Sequence, residues 1–150
     1  MHNPDWEKPM DPEAPLPFTL SGWVDLAPFE RTLGMAIKSF GGGNAVLAMP
    51  FTVKLAQGKV LLHGGALTSL ADTAAAMAIK TLLPEDTHFA TVSLETRFLA
   101  PVTMGVVTAH ARAGRIEEKE RTFRAEVKLR DEDGEEVAEF SSEFRVAKNQ

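Results

Sequence analysis

Two hydrophobic periods divide the chain. From Gly64 to Leu83 small and apolar residues recur at spacings of three and four, Asp72 and Lys80 are the only charges, and the pattern predicts one long helix. Ala66, Ala71, Ala74, Ala75, Ala76 and Ala78 combine high helix propensity with little volume, so this helix can lie close against a sheet, while Leu67, Leu70, Met77 and Leu82 supply bulk. A surface helix of this length carries more charge on its water face, so burial on most sides is expected.

Beyond Leu83 the period drops to two, and four segments read as strands. FATVSLETRFL is expected to put Ala90, Val92, Leu94 and Phe98 on one face, TMGVVTAHARA is looser, and TFRAEVKLR alternates Phe123, Ala125, Val127 and Leu129 against Arg124, Glu126 and Lys128. EVAEFSSEFRV closes the set after a turn at Asp133-Gly134. Before the helix, MAIKSF and NAVLAMPF flank Gly41, Gly42, Gly43 and Asn44 as two further strands, and DLAPFERTLGM predicts a short helix capped by Asp25 with Pro28 in its first turn. Tight turns between strands make them antiparallel. The fold class is α+β: one long central helix wrapped by a curved antiparallel sheet of five to six strands.

Composition trims this picture at its start. Six of the nine prolines fall in the first 28 residues, so residues 1–24 read as an irregular arm that Trp6, Phe18 and Trp23 can anchor, ahead of a single domain over 25–150. The chain has 150 residues, enough to bury a core without staples, and no cysteine, which excludes disulfides and thiolate chemistry and fits a cytoplasmic setting. A net charge of −5 without a basic run speaks against nucleic acid, and no apolar stretch is long enough to span a bilayer.

Asp72 carries the chemical question. Ser69, Asp72, Thr73, Ala76 and Lys80 fall on one face and fit a narrow solvent stripe; Asp72 also fits the cap of a shorter helix, and a carboxylate presented to a substrate is the third reading. Upstream, His63-Gly64-Gly65 brings a flexible chain to a helix N-terminus, whose free N–H groups can meet a carbonyl oxygen or an anion. Glycines at that point also suit a loop with positive φ, and His63 alone suits a hydrogen-bonded packing role.

Gln57, His63-Gly64-Gly65, Asp72 and ATVSLETRFLAPV, Ala90 to Val102, together with PFERTLGM, resemble the signature of hotdog-fold acyl-CoA thioesterases of the phenylacetic-acid-degradation (PaaI-like) type, over Pro28 to Val146. The resemblance implies dimers or dimers of dimers acting on acyl-CoA without metal or cofactor, coenzyme A being part of the substrate. By position, Asp72 resembles the catalytic carboxylate, base or nucleophile, and Gly64 the residue whose N–H polarises the thioester carbonyl. Gln57 stands where the family carries Asn or Gln to orient carbonyl or water, Thr91 where some members carry a hydroxyl beside the attacking water, and His63 shapes the loop. The acyl group is expected against Gly65, Phe29, Leu33, Met77 and Ile79, each of which also suits plain core, with coenzyme A phosphates near Lys59, Arg97, Arg115, Lys119 or Arg121.

Helix geometry adds a constraint independent of the family. Gly64 and Asp72 lie eight residues apart, roughly 12 Å at about 1.5 Å per residue. One reacting carbonyl needs both groups within about 3 to 3.5 Å. If both act on one substrate, they come from different subunits, and a two-fold axis then makes two equal sites.

Other classes find less support. There is no G-x-S-x-G elbow, no P-loop and no metal-ligand spacing among His2, His63, His88 and His110. A hydroxyacyl-thioester dehydratase on the same fold is the enzymatic alternative, and a non-catalytic acyl-CoA-binding or sensing module is the alternative from another class.

Overall fold

Helix α2, Gly64–Lys80, is the axis of the molecule in the computed structural model, which describes residues 4–148. Strands β1 (Ala36–Gly41), β2 (Asn44–Pro50), β3 (Phe89–Phe98), β4 (Val106–Arg115), β5 (Thr122–Arg130) and β6 (Glu136–Val146) form one antiparallel sheet in the order β1-β2-β4-β5-β6-β3. The chain leaves β2 near one edge, crosses the inner face as α2 and re-enters at the opposite edge as β3. This is the hotdog arrangement, with six strands.

Packing follows from side-chain size. Leu70, Ala71, Ala74, Ala75, Ala78 and Ile79 are fully buried, and they meet an inner sheet face built from Leu47, Met49, Val107, Ala109, Ala125, Val127, Leu129 and Phe144. Alternation in β5 matches expectation, with Phe123, Ala125, Val127 and Leu129 inward and Arg124, Glu126 and Lys128 outward. The helix ends at Lys80, three residues before the predicted Leu83. Thr81 closes it by donating to the Ala78 carbonyl at 2.6 Å while accepting from the Gly43 N–H at 2.7 Å, which ties the helix end to the β1–β2 turn.

Strand β3 departs from simple alternation. Its register against β6 slips between Thr91, opposite Phe144, and Ser93, opposite Glu143. Phe144, Ser142, Phe140 and Ala138 of β6 point inward, so Phe89 and Thr91 face the helix before the slip and Leu94, Thr96 and Phe98 face it afterwards. Ala90 and Val92 therefore do not share a face with Leu94 and Phe98, contrary to the period-two reading. A bulge inserts one residue and flips the parity of everything beyond it.

Ahead of the sheet, α1 (Pro28–Thr32) starts with Pro28 but is not capped by Asp25. Ala27 is its N-cap, Glu30 Oε1 accepts the Ala27 N–H at 3.2 Å, and Asp25 instead takes the Ser21 and Leu26 N–H groups and an ion pair with Arg31 at 3.1 Å. Trp23 then clasps the end of α2. Its indole N–H donates to the Lys80 carbonyl at 2.9 Å, Lys80 Nζ donates back to the Trp23 carbonyl at 3.0 Å, and the ammonium lies 4.7 Å from the ring centre. Burial lowers the pKa of Lys80, and the charges of Glu30 and Asp25 pull the other way.

Trp23→Phe keeps a ring over Lys80 but leaves the helix-terminal Lys80 carbonyl with only the longer bond from the Leu83 N–H at 3.3 Å. It should lower unfolding stability by about 0.5–1.5 kcal/mol, read as a lower urea midpoint at unchanged slope. An unchanged midpoint would show that the clasp adds nothing.

Candidate active site

Most of α2 is covered, but Gly65, Thr68, Ser69, Asp72, Thr73, Ala76 and Lys80 keep part of their surface, so the sequence's polar stripe exists. Three elements border it: α1, the edge strand β3 and the loop from Phe51 to His63. Asp72 is half-buried at its centre, and Thr91 Oγ1 donates to Asp72 Oδ1 at 2.9 Å across the gap to β3. One turn earlier the Thr68 and Thr96 hydroxyls meet at 3.0 Å. The bulge matters here, because it lets Thr91 and Thr96, an odd and an even position, both face the helix.

Burial raises the pKa of Asp72 above 3.8; the Thr91 hydrogen bond opposes this, and the negative charge of Glu30 adds to it. Desolvation wins because one hydroxyl donor does not replace a hydration shell. The carboxylate is thus a stronger base than an exposed aspartate. Its other oxygen, Oδ2, has no hydrogen-bond partner among the described residues.

At the start of α2 the His-Gly-Gly segment divides its work. His63 is the N-cap, and the Gly65 N–H donates to its Nδ1 at 2.8 Å. The Ala66 N–H is taken by the His63 carbonyl, and the His63 N–H by the Leu55 carbonyl. The Gly64 N–H is left without a partner among the described residues. Neither glycine is explained by positive φ. A methyl group on Gly64 would sit 3.1 Å from Phe98 Cζ, and one on Gly65 would sit 3.0 Å from His63 Nδ1, so each is small because a ring lies against it.

The remaining expected site residues are scattered. Gln57 lies in the loop closed by the Ala56–Leu62 bridge, its N–H donating to the Leu61 carbonyl and its side chain exposed. Phe29 is 60% exposed on α1, and Leu33 is partly buried just beyond it. Met77 and Ile79 are 3% and 0% exposed and belong to the core within the protomer; spacing places them on the helix but cannot show that both are closed over. Arg97 points away from Thr96 onto the outer sheet face and pairs with Glu139 at 3.4 Å, so the sheet separates it from Asp72. A cavity of about 650 Å3 lies on that outer face, around His110, Arg112 and Lys128, and is equally remote from the stripe. Among the other basic candidates, Lys119 pairs with Glu143 and Arg121 donates to the Val146 carbonyl. Phe98, which the sequence offers only as a strand residue, and Glu30 join the site through their three-dimensional approach to Gly64 and Asp72.

Known proteins place this arrangement. The sequence profile of the Thioesterase superfamily matches residues 61–138, which includes the whole of α2 and β3. The chain belongs to that superfamily. It is 34% identical over 104 residues to a 1,4-dihydroxy-2-naphthoyl-CoA hydrolase of Listeria monocytogenes, an alignment covering 69% of this chain and 82% of the relative. The phenylacetic acid degradation protein PaaI of Thermus thermophilus, solved as a point mutant, superposes with a TM-score of 0.71 at 28% identity, covering 79% of this chain and 98% of that one. The PaaI protein of Escherichia coli gives 0.72 at 25% identity, covering 83% and 87%. This thioesterase is therefore a thioester hydrolase of the PaaI-like hotdog type. Among its described residues no helix is long and apolar enough to cross a membrane.

The shifted carboxylate has a consequence for stability. Because folding raises the pKa of Asp72, the native state holds this proton more tightly than the unfolded chain, so the group's contribution falls as pH rises from 3.8 through the raised value and stays unfavourable above it. Asp72→Asn keeps an acceptor for Thr91 without the charge. Its thermal midpoint should equal or exceed the parent's at pH 7, with the gain fading as both are acidified toward 3.8; a clearly lower midpoint at pH 7 would contradict this.

Proposed function

We propose that the protein hydrolyses acyl-CoA thioesters at sites shared between two protomers, with Asp72 of one and the Gly64 N–H of the other. The half-buried Asp72 carboxylate, held through one oxygen by Thr91 with the other free, is the observation that carries this reading. Asp72 takes a proton from water, and the resulting hydroxide forms a bond to the thioester carbon. Negative charge moves to the carbonyl oxygen, where the unpartnered Gly64 N–H and the positive end of α2 stabilise it. Collapse breaks the carbon–sulfur bond, releasing the acid and coenzyme A, whose thiolate takes up the proton. Gln57, on the loop leading to the helix, orients the water or carbonyl. His63 holds the helix start without touching substrate. Lys59, exposed on the same loop, is the candidate to meet a phosphate of coenzyme A.

The exposed edge of β3 supports a specific pairing. Val92, Leu94 and Phe98 are 52%, 45% and 56% exposed there, an apolar edge that a lone protomer leaves open. Along β3, Phe98 lies beside Gly64 and Thr91 beside Asp72, so a two-fold axis through the strand's middle brings the Phe98 end of one copy level with the Thr91 end of the other. Antiparallel joining of the two β3 strands then runs the α2 helices antiparallel, N-terminus toward the partner's carboxylate. Phe29 and Leu33 border the stripe from α1 and line the acyl side.

The first test is thiol release against a panel of acyl-CoAs. Asp72→Asn should lose about 10²-fold or more in turnover while keeping fold and oligomer; near-parental activity would remove Asp72 from the mechanism. Activity should also fall toward acid pH as Asp72 takes up its proton, and because folding raises its pKa that fall should come above the range of an exposed aspartate. Binding of acyl-CoA without thiol release by the parent would favour the sensing module.

The second test asks whether sites are shared. Gly64→Pro removes the N–H at a position where proline suits a helix start, and His63 already has the extended backbone (φ −62°, ψ 131°) that a following proline requires. The added Cβ presses on the Phe98 ring, so Gly64→Ala, which adds that carbon and keeps the N–H, is the control. Asp72→Asn and Gly64→Pro should each be nearly inactive alone. Mixing them at equal amounts after dissociation should restore about a quarter of parental activity, since half the dimers are mixed and each mixed dimer has one intact site. No restoration would mean that Gly64 and Asp72 do not serve one site.

A further inference from the structure

Phe98 has no part in the chemistry above, yet its ring sits at the most sensitive backbone atom of the site. It lies on the inward face of β3, opposite the fully buried Ala138, and reaches over the first residue of α2. The tip of the ring is what meets Gly64: a methyl group built there would lie 3.1, 3.3 and 3.7 Å from Cζ, Cε1 and Cε2. The ring is nevertheless 56% exposed, so burial of apolar surface within the protomer does not account for its place.

The other contacts at this helix start leave a gap that Phe98 fills. Leu55 and Val102 carbonyls hold His63 and Leu62 from the loop side, and the His63 imidazole holds Gly65. Gly64 makes no hydrogen bond among the described residues through its N–H, and having no side chain it cannot anchor itself. A glycine in that situation gains backbone freedom, whereas an oxyanion donor works only when its direction is fixed in advance. The tip of the ring stands on the side of the Gly64 α-carbon from which a side chain would project, close enough to limit movement in that direction.

We propose that Phe98 is a positioning residue that fixes the Gly64 amide as the carbonyl-polarising donor. This rests on the shared-site reading, and it explains why Gly64 is glycine: the ring needs the room that a side chain would take. Donor placement acts on the transition state more than on the bound substrate, so the effect belongs in kcat and not in KM.

The experiment measures thiol release by the full-length protein carrying Phe98→Ala, Phe98→Leu, Gly64→Pro, or Gly64→Pro with Phe98→Ala, with hexanoyl-CoA as the probe and circular dichroism and sedimentation as controls on fold and assembly. Phe98→Ala should lower kcat about 10- to 100-fold with KM within about threefold, and Phe98→Leu should recover most of the loss. In the Gly64→Pro background, Phe98→Ala should cost nothing further, because the amide it serves is gone. Since proline's added carbons also press on the ring, Gly64→Ala, equally crowded at Cβ but with its N–H, is the control and should keep more activity than Gly64→Pro. Three results would overturn the inference: unchanged kcat in a folded, assembled Phe98→Ala protein, a loss confined to KM, or an equal additional loss in the Gly64→Pro background. If Phe98→Ala disturbs fold or assembly, Phe98→Leu and its own cycle with Gly64→Pro decide by the same criteria. Full activity of Gly64→Pro itself would instead remove the oxyanion role of Gly64, a different failure.

Discussion

Close contact between an alanine-rich helix and the inner face of one sheet is the constraint from which everything else in this thioesterase descends. Ala71, Ala74, Ala75 and Ala78 have no exposed surface, so the helix backbone lies nearer the strands than leucines would permit. Such a helix has one strip left over, bounded by β3 and α1, where a polar group can stand without rupturing the core. Asp72 occupies that strip. Leu70 and Ala74, two positions to either side along the helix, and Ala71 beside it are fully buried, so the carboxylate is desolvated by the same packing that stabilises the fold.

The cost of that placement is what gives the residue its proposed use. A carboxylate in water is a weak base near neutrality; one deprived of part of its shell and facing Glu30 holds its proton more tightly. Thr91 limits the effect by donating a single hydrogen bond, enough to fix the carboxylate's orientation and too little to replace water. The helix start follows the opposite logic. There the imidazole of His63 satisfies one N–H, a loop carbonyl orients the cap residue, and the N–H of Gly64 has no partner among the described residues. Satisfying all the terminal donors would stabilise the helix further and close the oxyanion position.

How much of this the sequence discloses depends on the range of the interaction. Local features were legible: the switch of period at the end of α2, the Gly42-Gly43 turn, the proline that opens α1, the polar stripe, and the grouping of His63 with two glycines. Failures came where a distant element decides. One inserted residue in β3 reverses which side chains face the helix, and no alternation count can detect it, since Val92 is as good a strand former as its neighbours. Spacing put Met77 and Ile79 on the helix of the site, but whether they meet ligand or core depends on what closes over them. Arg97 is a candidate by charge alone, and its place on the strand face opposite Leu94 and Phe98 turns it away from the helix, which charge does not disclose.

The partition of the proposed site between the start and the middle of α2 bears on how the enzyme is built. A helix is rigid over eight residues, so within one protomer the Gly64 amide and the Asp72 carboxylate are held about 12 Å apart and cannot collapse onto each other. Their separation protects both groups: the carboxylate cannot satisfy the amide, and the amide cannot depress the basicity of the carboxylate. In the shared site proposed above, docking of a second copy with its helix reversed would set donor and base facing one another across a gap the size of a reacting carbonyl. Assembly would then create the polarised site and remove the exposed β3 edge in one step, tying the burial of an aggregation-prone surface to the acquisition of activity.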